Sequence, residues 1–255
     1  MTEMKHFSLD SDLTRNYIRG TIPPRLGQLP KLKILSLIVN RLTGPIPPEI
    51  GNITTLEELV LENNLLGGSL PPELGNLKSL ERLLLSANNF TGTIPDTFGN
   101  LKSLTDFRID GNELSGKIPE FIGNWTNMTT LNLQGTSMEG PIPSTISLLK
   151  KLVNLRISDL KGSGSTFPDL KDMTEMEKLI LRNCSMTGSI PEDLGKMTML
   201  DTLGCNRTLD IISPTTWTGP IVCESDFSVF VMPRANFIWH DSWHIIDKNK
   251  VHVSE

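Results

Sequence analysis

The chain has 255 residues, 38% hydrophobic and 21% charged, which suits a folded protein rather than a disordered one. Its formal net charge of −5 argues against a nucleic-acid partner, which selects for a basic face. No run of about 18 apolar residues is present, so the sequence predicts no membrane insertion by this chain.

The opening MTEMKHFSLD has neither an apolar core nor a small-residue cleavage site, so it is no secretory signal. Residues 1–7 are expected to be disordered. From residue 8 a period of 24 takes over. Asn16, Asn40, Asn64, Asn88 and Asn112 are spaced by it, and it continues to Thr136, Leu160 and Cys184. The same apolar frame recurs around each. Leu32, Leu35, Leu37, Leu42, Ile46 and Pro47 surround Asn40, and Leu80, Leu83, Leu85, Phe90, Ile94 and Pro95 surround Asn88. In the first coil Ser8 and Ser11 stand where leucines are expected.

This spacing predicts one short strand per coil. The pair Leu35 and Leu37, two apart, faces inward, and the residues between point to solvent. Coils stack about 4.8 Å apart, so eight give a strand face roughly 35 Å long. The repeated Asn turns the chain and bonds backbone groups that the turn leaves unpaired. The repeated Gly supplies backbone angles that other residues resist, and Pro suits an irregular outer wall. No coil closes a core alone, so stability comes from neighbours.

Residues 8–208 are therefore read as a leucine-rich-repeat solenoid of about eight 24-residue coils. The expected fold class is an α/β-type solenoid, a right-handed superhelix with parallel strands on its concave face. Its convex side is expected to be irregular and 3-10.

The outward strand positions are the candidate binding surface, because stacking does not require their side chains. Early coils place Ile34, Ile38, Val39, Val60 and Leu84 there. Later ones place Arg82, Asp106, Arg108, Asp110, Asn132, Gln134, Arg156, Ser158 and Asp159. An apolar patch beside a mixed-charge patch suits a protein or peptide ligand. The competing reading is solvated strand residues without a partner.

The stretch RISDLKGSGSTFPDL, residues 156–170, puts a glycine-rich run after a strand, as phosphate loops do. A Walker loop needs Gly-x4-Gly-Lys-Ser/Thr, and no lysine follows here. Phe167–Pro168 instead stands one residue late for Ile–Pro, and Met176 resumes the period. A one-residue bulge in the outer wall is the expectation. Cys184 takes the Asn position, where a buried thiol serves as a weak donor.

Sequons occur at Asn52, Asn89, Asn124, Asn127, Asn183 and Asn206. They bear glycan only on a secreted chain. Asn183 is beside a strand, where a glycan would obstruct the concave face. Residues 209–255 leave the repeat and are read as a disordered or aberrant tail, and an inactive truncated gene product is an alternative reading of the whole chain. Three cysteines, Cys184, Cys205 and Cys223, form neither a disulfide framework nor a zinc pattern, although the last two are free to pair. His240 and His244 lack a third metal ligand. No catalytic set, metal site or cofactor is implied.

The frame LTGPIPPEIGNI and FTGTIPDTFGNL resembles the plant-specific class of leucine-rich repeats, found in receptor-like kinases, receptor-like proteins and polygalacturonase inhibitors. Residues 9–203 more narrowly resemble the ectodomain of malectin-containing receptor-like serine/threonine kinases. The segments that carry this are DLTRNYIRGTIPPRLGQLPKLKILSL, RISDLKGSGSTFPDLKDM and LILRNCSMTGSIPEDLGKM. The resemblance implies recognition of a protein or peptide ligand or co-receptor at the cell surface. The alternative it implies is a secreted inhibitor of a cell-wall hydrolase. Kinase motifs are absent from this sequence, so the chain is expected to be a leaderless, kinase-less piece without enzyme activity. The inward assignment predicts that Leu83→Ala costs roughly 2–5 kcal/mol. An unchanged melting curve would refute it.

Overall fold

The computed structural model describes residues 10–162, 164, 166–189, 191–205, 221–225 and 228–231. Each repeat contributes one short strand to a long sheet. In order these are Asp10–Asp12, Ile34–Ser36, Glu58–Val60, Arg82–Leu84, Asp106–Arg108, Thr130–Leu133, Asn154–Ser158, Lys178–Arg182 and Thr202–Cys205. All pair in parallel with a shift of 24 residues, so equivalent positions form straight rows across the coils. Beyond Cys205 the spacing breaks. Ile221–Ser225 joins in parallel only 18 residues on, with Leu203 opposite Ile221. Ser228–Val231 then folds back antiparallel. The other residues of the 209–255 tail, with His240 and His244, lie outside the described residues, as does the N-terminal 1–7 segment.

The period fixes the interior. Leu35, Leu59, Leu83, Phe107, Leu131, Leu155 and Leu179 stack in one row of the core, each at most 2% exposed. Trp125 takes a leucine position in its coil and is fully buried. Its indole N–H donates to the Phe98 carbonyl at 3.0 Å, and its ring meets Phe107 edge-on. The polar end of the largest core side chain is thereby satisfied.

Beneath each strand an asparagine clamps the turn. Asn88 Nδ2 donates to the carbonyls of Leu85 and Ser86 in its own coil, and to Leu61 in the preceding one, at 2.9–3.2 Å. Its Oδ1 accepts the Leu66 N–H at 3.1 Å. Asn40, Asn64 and Asn112 repeat this pattern. The clamp then lapses. Thr136 keeps one bond, to the Leu133 carbonyl, and Leu160 has no polar side chain. Cys184 Sγ donates to the Ile157 and Arg182 carbonyls at 3.6 and 3.3 Å, the geometry its Asn-like position predicts.

The outer wall is more ordered than irregular. A second parallel sheet follows the turns: Arg19–Gly20, Arg41–Gly44, Leu65–Ser69, Asn89–Gly92, Glu113–Lys117 and Ser137–Glu139. Next come five-residue 3-10 helices such as Pro48–Asn52, Pro72–Asn76 and Asp96–Asn100, each entered from a proline. Neighbouring helices pack tightly here. A Cβ on Gly51 would sit 2.3 Å from the Glu73 carbonyl oxygen, so the glycine of each GN pair admits the next coil. Among the described residues no helix is long and apolar enough to cross a membrane.

One coil differs. Pro168 comes 25 residues after Pro143, whereas Leu170 comes 24 after Ile146. A single residue then separates proline from the buried leucine, and no 3-10 helix forms between Pro168 and Met176. Asp169 instead accepts the Lys171 N–H in a local turn. The glycine run is in this bulge, where a Cβ on Gly164 would come within 2.1 Å of the Ser185 carbonyl oxygen. Contact with the next coil, not a phosphate, requires glycine there. Because Asn88→Ala leaves the buried Leu66 N–H without an acceptor, it is expected to cost about 3 kcal/mol. Urea unfolding, with an unchanged slope and a lower midpoint, checks this.

Candidate functional site

The concave face is built from three rows of side chains. The first runs Ile34, Glu58, Arg82, Asp106, Thr130, Asn154, Lys178, Thr202. The second runs Ser36, Val60, Leu84, Arg108, Asn132, Arg156, Ile180, Gly204. Ile38, Glu62, Ser86, Asp110, Gln134, Ser158 and Arg182 continue the strands as the third. All eight predicted ligand-contact residues fall in these rows.

Four of the positions expected to face solvent do not. Val60 and Leu84 are 8% and 2% exposed, yet neither belongs to the interior core. Stacked strands bring row neighbours close enough that long side chains shield short ones on the concave face itself. Asp106 is 8% exposed because Arg108 grips both its oxygens at 2.8 Å and Arg82 approaches at 3.8 Å. Ser158 is fully buried, donating to Asp159 and accepting the Gly135 N–H. Val39 and Asp159 belong to the turn after the strand, where φ is 56° and 60°. Asp106 and Ser158 are therefore shielded from solvent by their own hydrogen-bond partners.

The early and middle coils neutralise their own charge. Arg82 bonds Glu58 at 2.9 Å. The Asp106 hydrogen bonds raise the Arg108 guanidinium above its ordinary value, against the opposing effect of burial. Burial pushes the Glu62 carboxyl up, opposed by the Ser86 hydroxyl and the charge of Arg108. The single Ser86 hydroxyl proton is donated to Asp110. At the far rim, burial alone would raise Asp159. Bonds from Ser158 and Asn183 and the Arg182 guanidinium outweigh it and hold the carboxyl below its usual range.

Over the later coils the face hollows into a cavity of about 410 Å³. Asp110, Gln134, Arg156, Ser158, Ile180 and Arg182 wall it, together with Thr202. Its floor is made by residues without side chains, Gly111, Gly135 and Gly204. The first two occupy the turn position held by Val39, Asn63 and Ala87 in earlier coils. Sequence reasoning missed this hollow and missed Ile180, Arg182 and Gly204. The signal was the change to glycine at positions 111 and 135 of a fixed register. Asn132 and Arg108 flank the cavity in the central row.

Models described as leucine rich repeat match residues 54–114 in one case, and 31–53 and 175–197 in another. The chain is a leucine-rich-repeat solenoid. Among solved structures it is similar to the plant peptide hormone receptor RGFR1 in complex with RGF2. That similarity has 33% identity and a TM-score of 0.70, over 77% of this chain and 32% of that one. It is similar to the ectodomain of the membrane receptor kinase GASSHO1/SCHENGEN3 from Arabidopsis thaliana in complex with CASPARIAN STRIP INTEGRITY FACTOR 2. The values there are 30% identity and TM-score 0.71, over 78% and 24%. The Arabidopsis receptor kinase HAESA, in complex with the peptide hormone IDA and the co-receptor SERK1, gives 28% and 0.67 over 87% and 35%. This solenoid thus spans between a quarter and about a third of each of those chains. No curated protein matches it.

Among the described residues no group of three His, Cys, Asp or Glu side chains is placed to hold a metal. Asn52, Asn89, Asn124, Asn127 and Asn183 are all exposed, and the Asn206 side chain lies outside the described residues. Asn183 bonds Asp159 at the concave rim. Burial pushes the Cys184 thiol up to about 12, so it stays protonated at neutral pH and is a poor nucleophile. Iodoacetamide at mildly alkaline pH is expected to leave Cys184 unmodified in the folded chain and to alkylate it in urea. Peptide mapping reads the difference.

Proposed function

We propose that this solenoid recognises a peptide or protein ligand on its concave face, as part of the extracellular segment of a plant receptor-like kinase. The observation that carries the reading is the hollow over the later coils. It is concave and open to solvent along a row, and it mixes polar and aliphatic walls as ligand sites do. A peptide hormone receptor in complex with RGF2 and a receptor kinase in complex with the peptide hormone IDA share the fold over more than three-quarters of this chain. Arg108, Asn132, Gln134 and Arg156 are the proposed contacts, with Ile180 as apolar support. Arg82 and Asp110 are proposed at its acidic edge, and Asp106 and Ser158 hold their neighbours. A co-receptor is the proposed second partner.

Placement among malectin-containing receptor-like kinases rests on the residues of the bulged coil and its neighbours. Glycan at the exposed sequons accords with an extracellular position. Asn183 would carry it at the rim of the same face.

Gly135→Asn tests the site. Asn63 already adopts a φ of 56° at the equivalent position, so asparagine fits the backbone at 135, where φ is 58°. Its side chain would project over the cavity floor. Peptides selected from a random display library on the wild-type chain are expected to bind this variant at least about tenfold more weakly. Equal binding, with the fold intact by urea unfolding, would place recognition elsewhere.

A further inference from the structure

We propose that the ridge over the first three coils, where the concave face turns into the second sheet, docks an acidic protein segment that carries an apolar side chain. This ridge is separate from the hollow over the later coils and does not depend on it.

Residues 13–48 hold six arginines and lysines and no aspartate or glutamate, in a chain whose net charge is −5. Three of the six lie together on the ridge. Arg15, Tyr17 and Arg19 follow the first strand at intervals of two residues, and all three are exposed. Twenty-four residues on, Val39 and Arg41 repeat the positions of Arg15 and Tyr17, and Leu65 repeats Tyr17 one coil later. Tyr17 is 78% exposed, Leu65 55% and Val39 41%, so half of the large apolar side chains left exposed among the described residues are on this ridge. The same positions in later coils read Ala87 and Asn89, then Gly111 and Glu113. The patch is therefore a property of the first coils and not of the repeat.

Its charges are unspent. Arg15, Arg19 and Arg41 have no acidic partner among the described residues. Arg19 and Arg41 are direct partners across adjacent parallel strands, where like charges oppose the pairing. Carboxylates from outside would relieve that repulsion and match the guanidinium forks in paired hydrogen bonds. The apolar part is ordered in advance. The Arg41 guanidinium stands over the Tyr17 ring at 5.0 Å from its centroid, a cation–π contact that leaves its N–H groups available. Side chains fixed before binding lose less entropy on contact. Tyrosine and arginine are also the residues enriched where protein interfaces concentrate their energy. With coils about 4.8 Å apart, three coils span roughly 10 Å, enough for a short segment of a partner.

Random displayed peptides selected on the intact chain test this. The enriched peptides are expected to combine Asp or Glu with a large apolar residue. They are expected to bind the double variant Arg19→Glu with Arg41→Glu at least about tenfold more weakly, and to weaken as salt is raised. Tyr17→Ala is expected to weaken them several-fold, and Gly135→Asn, which alters the later coils, to leave them unchanged. All the ridge substitutions are at exposed positions, and an unchanged urea midpoint checks that the fold is intact. Selection without acidic peptides, or acidic peptides that bind the double variant as well as the wild type or are lost at Gly135→Asn instead, overturns the proposal. Self-association seen by sedimentation and abolished in the double variant, with no acidic peptide enriched, also overturns it and assigns the ridge to a second copy of this chain.

Discussion

A buried side-chain amide joining two coils is the interaction on which this solenoid depends. Asn64, for example, donates to carbonyls of its own turn and to Leu37 O of the coil before, and accepts the Leu42 N–H. The turn after each strand must aim backbone groups into an interior otherwise filled by leucine and isoleucine. Left unpaired there, each would oppose folding by about 1–3 kcal/mol. Asn40, Asn64, Asn88 and Asn112 satisfy them in their own coils and tie each coil to the one before. The straight rows of the concave face are reinforced by that bonding in these coils, and the parallel pairing of the strands carries the same register on through the later ones.

The strands, the inward leucines and the asparagine ladder were legible in the sequence because all three obey one period. The 3-10 character of the outer wall was legible too, and its second parallel sheet was not. Its 3-10 helices arise where the glycine of each GN pair lets adjacent backbones touch, a contact between coils that residue spacing does not display. The bulge was legible as a late Phe167–Pro168, but its effect, the missing helix before Met176, depended on Leu170 keeping the schedule.

The binding face was legible by position and not by exposure. Alternation correctly sends Leu84 and Asp106 away from the core. It says nothing of what lies beside them on the same face. Leu84 lies in its row between Val60 and Arg108, each one coil away, and Asp106 is covered by Arg108 on its own strand and Arg82 one coil back. An arginine here finds its counterion either across a row, as Arg82 does with Glu58, or two residues back on its own strand, as Arg108 does with Asp106. Arg108 and Arg156 look alike in sequence, each between two apolar residues on a short strand, with a polar residue two positions to either side. Asp106 grips the first, and Asn154 occupies the corresponding position beside the second.

The cavity and the lapse of the asparagine ladder coincide. Gln134, Arg156 and Arg182 project from strands whose turns carry Thr136, Leu160 and Cys184 in place of asparagine. The bulged wall backs the same region, since Gly164 packs on Ser185. Coils held by fewer buried bonds occupy the less stable end of the range within one fold. In the regular half, Glu58, Arg82, Asp106 and Arg108 compensate one another, and the asparagine clamps are complete. On the concave face, internal satisfaction of hydrogen bonds and of charge therefore fails in the same few coils. Regular repeats are well satisfied by one another, so a partner gains most where the repeat departs from itself.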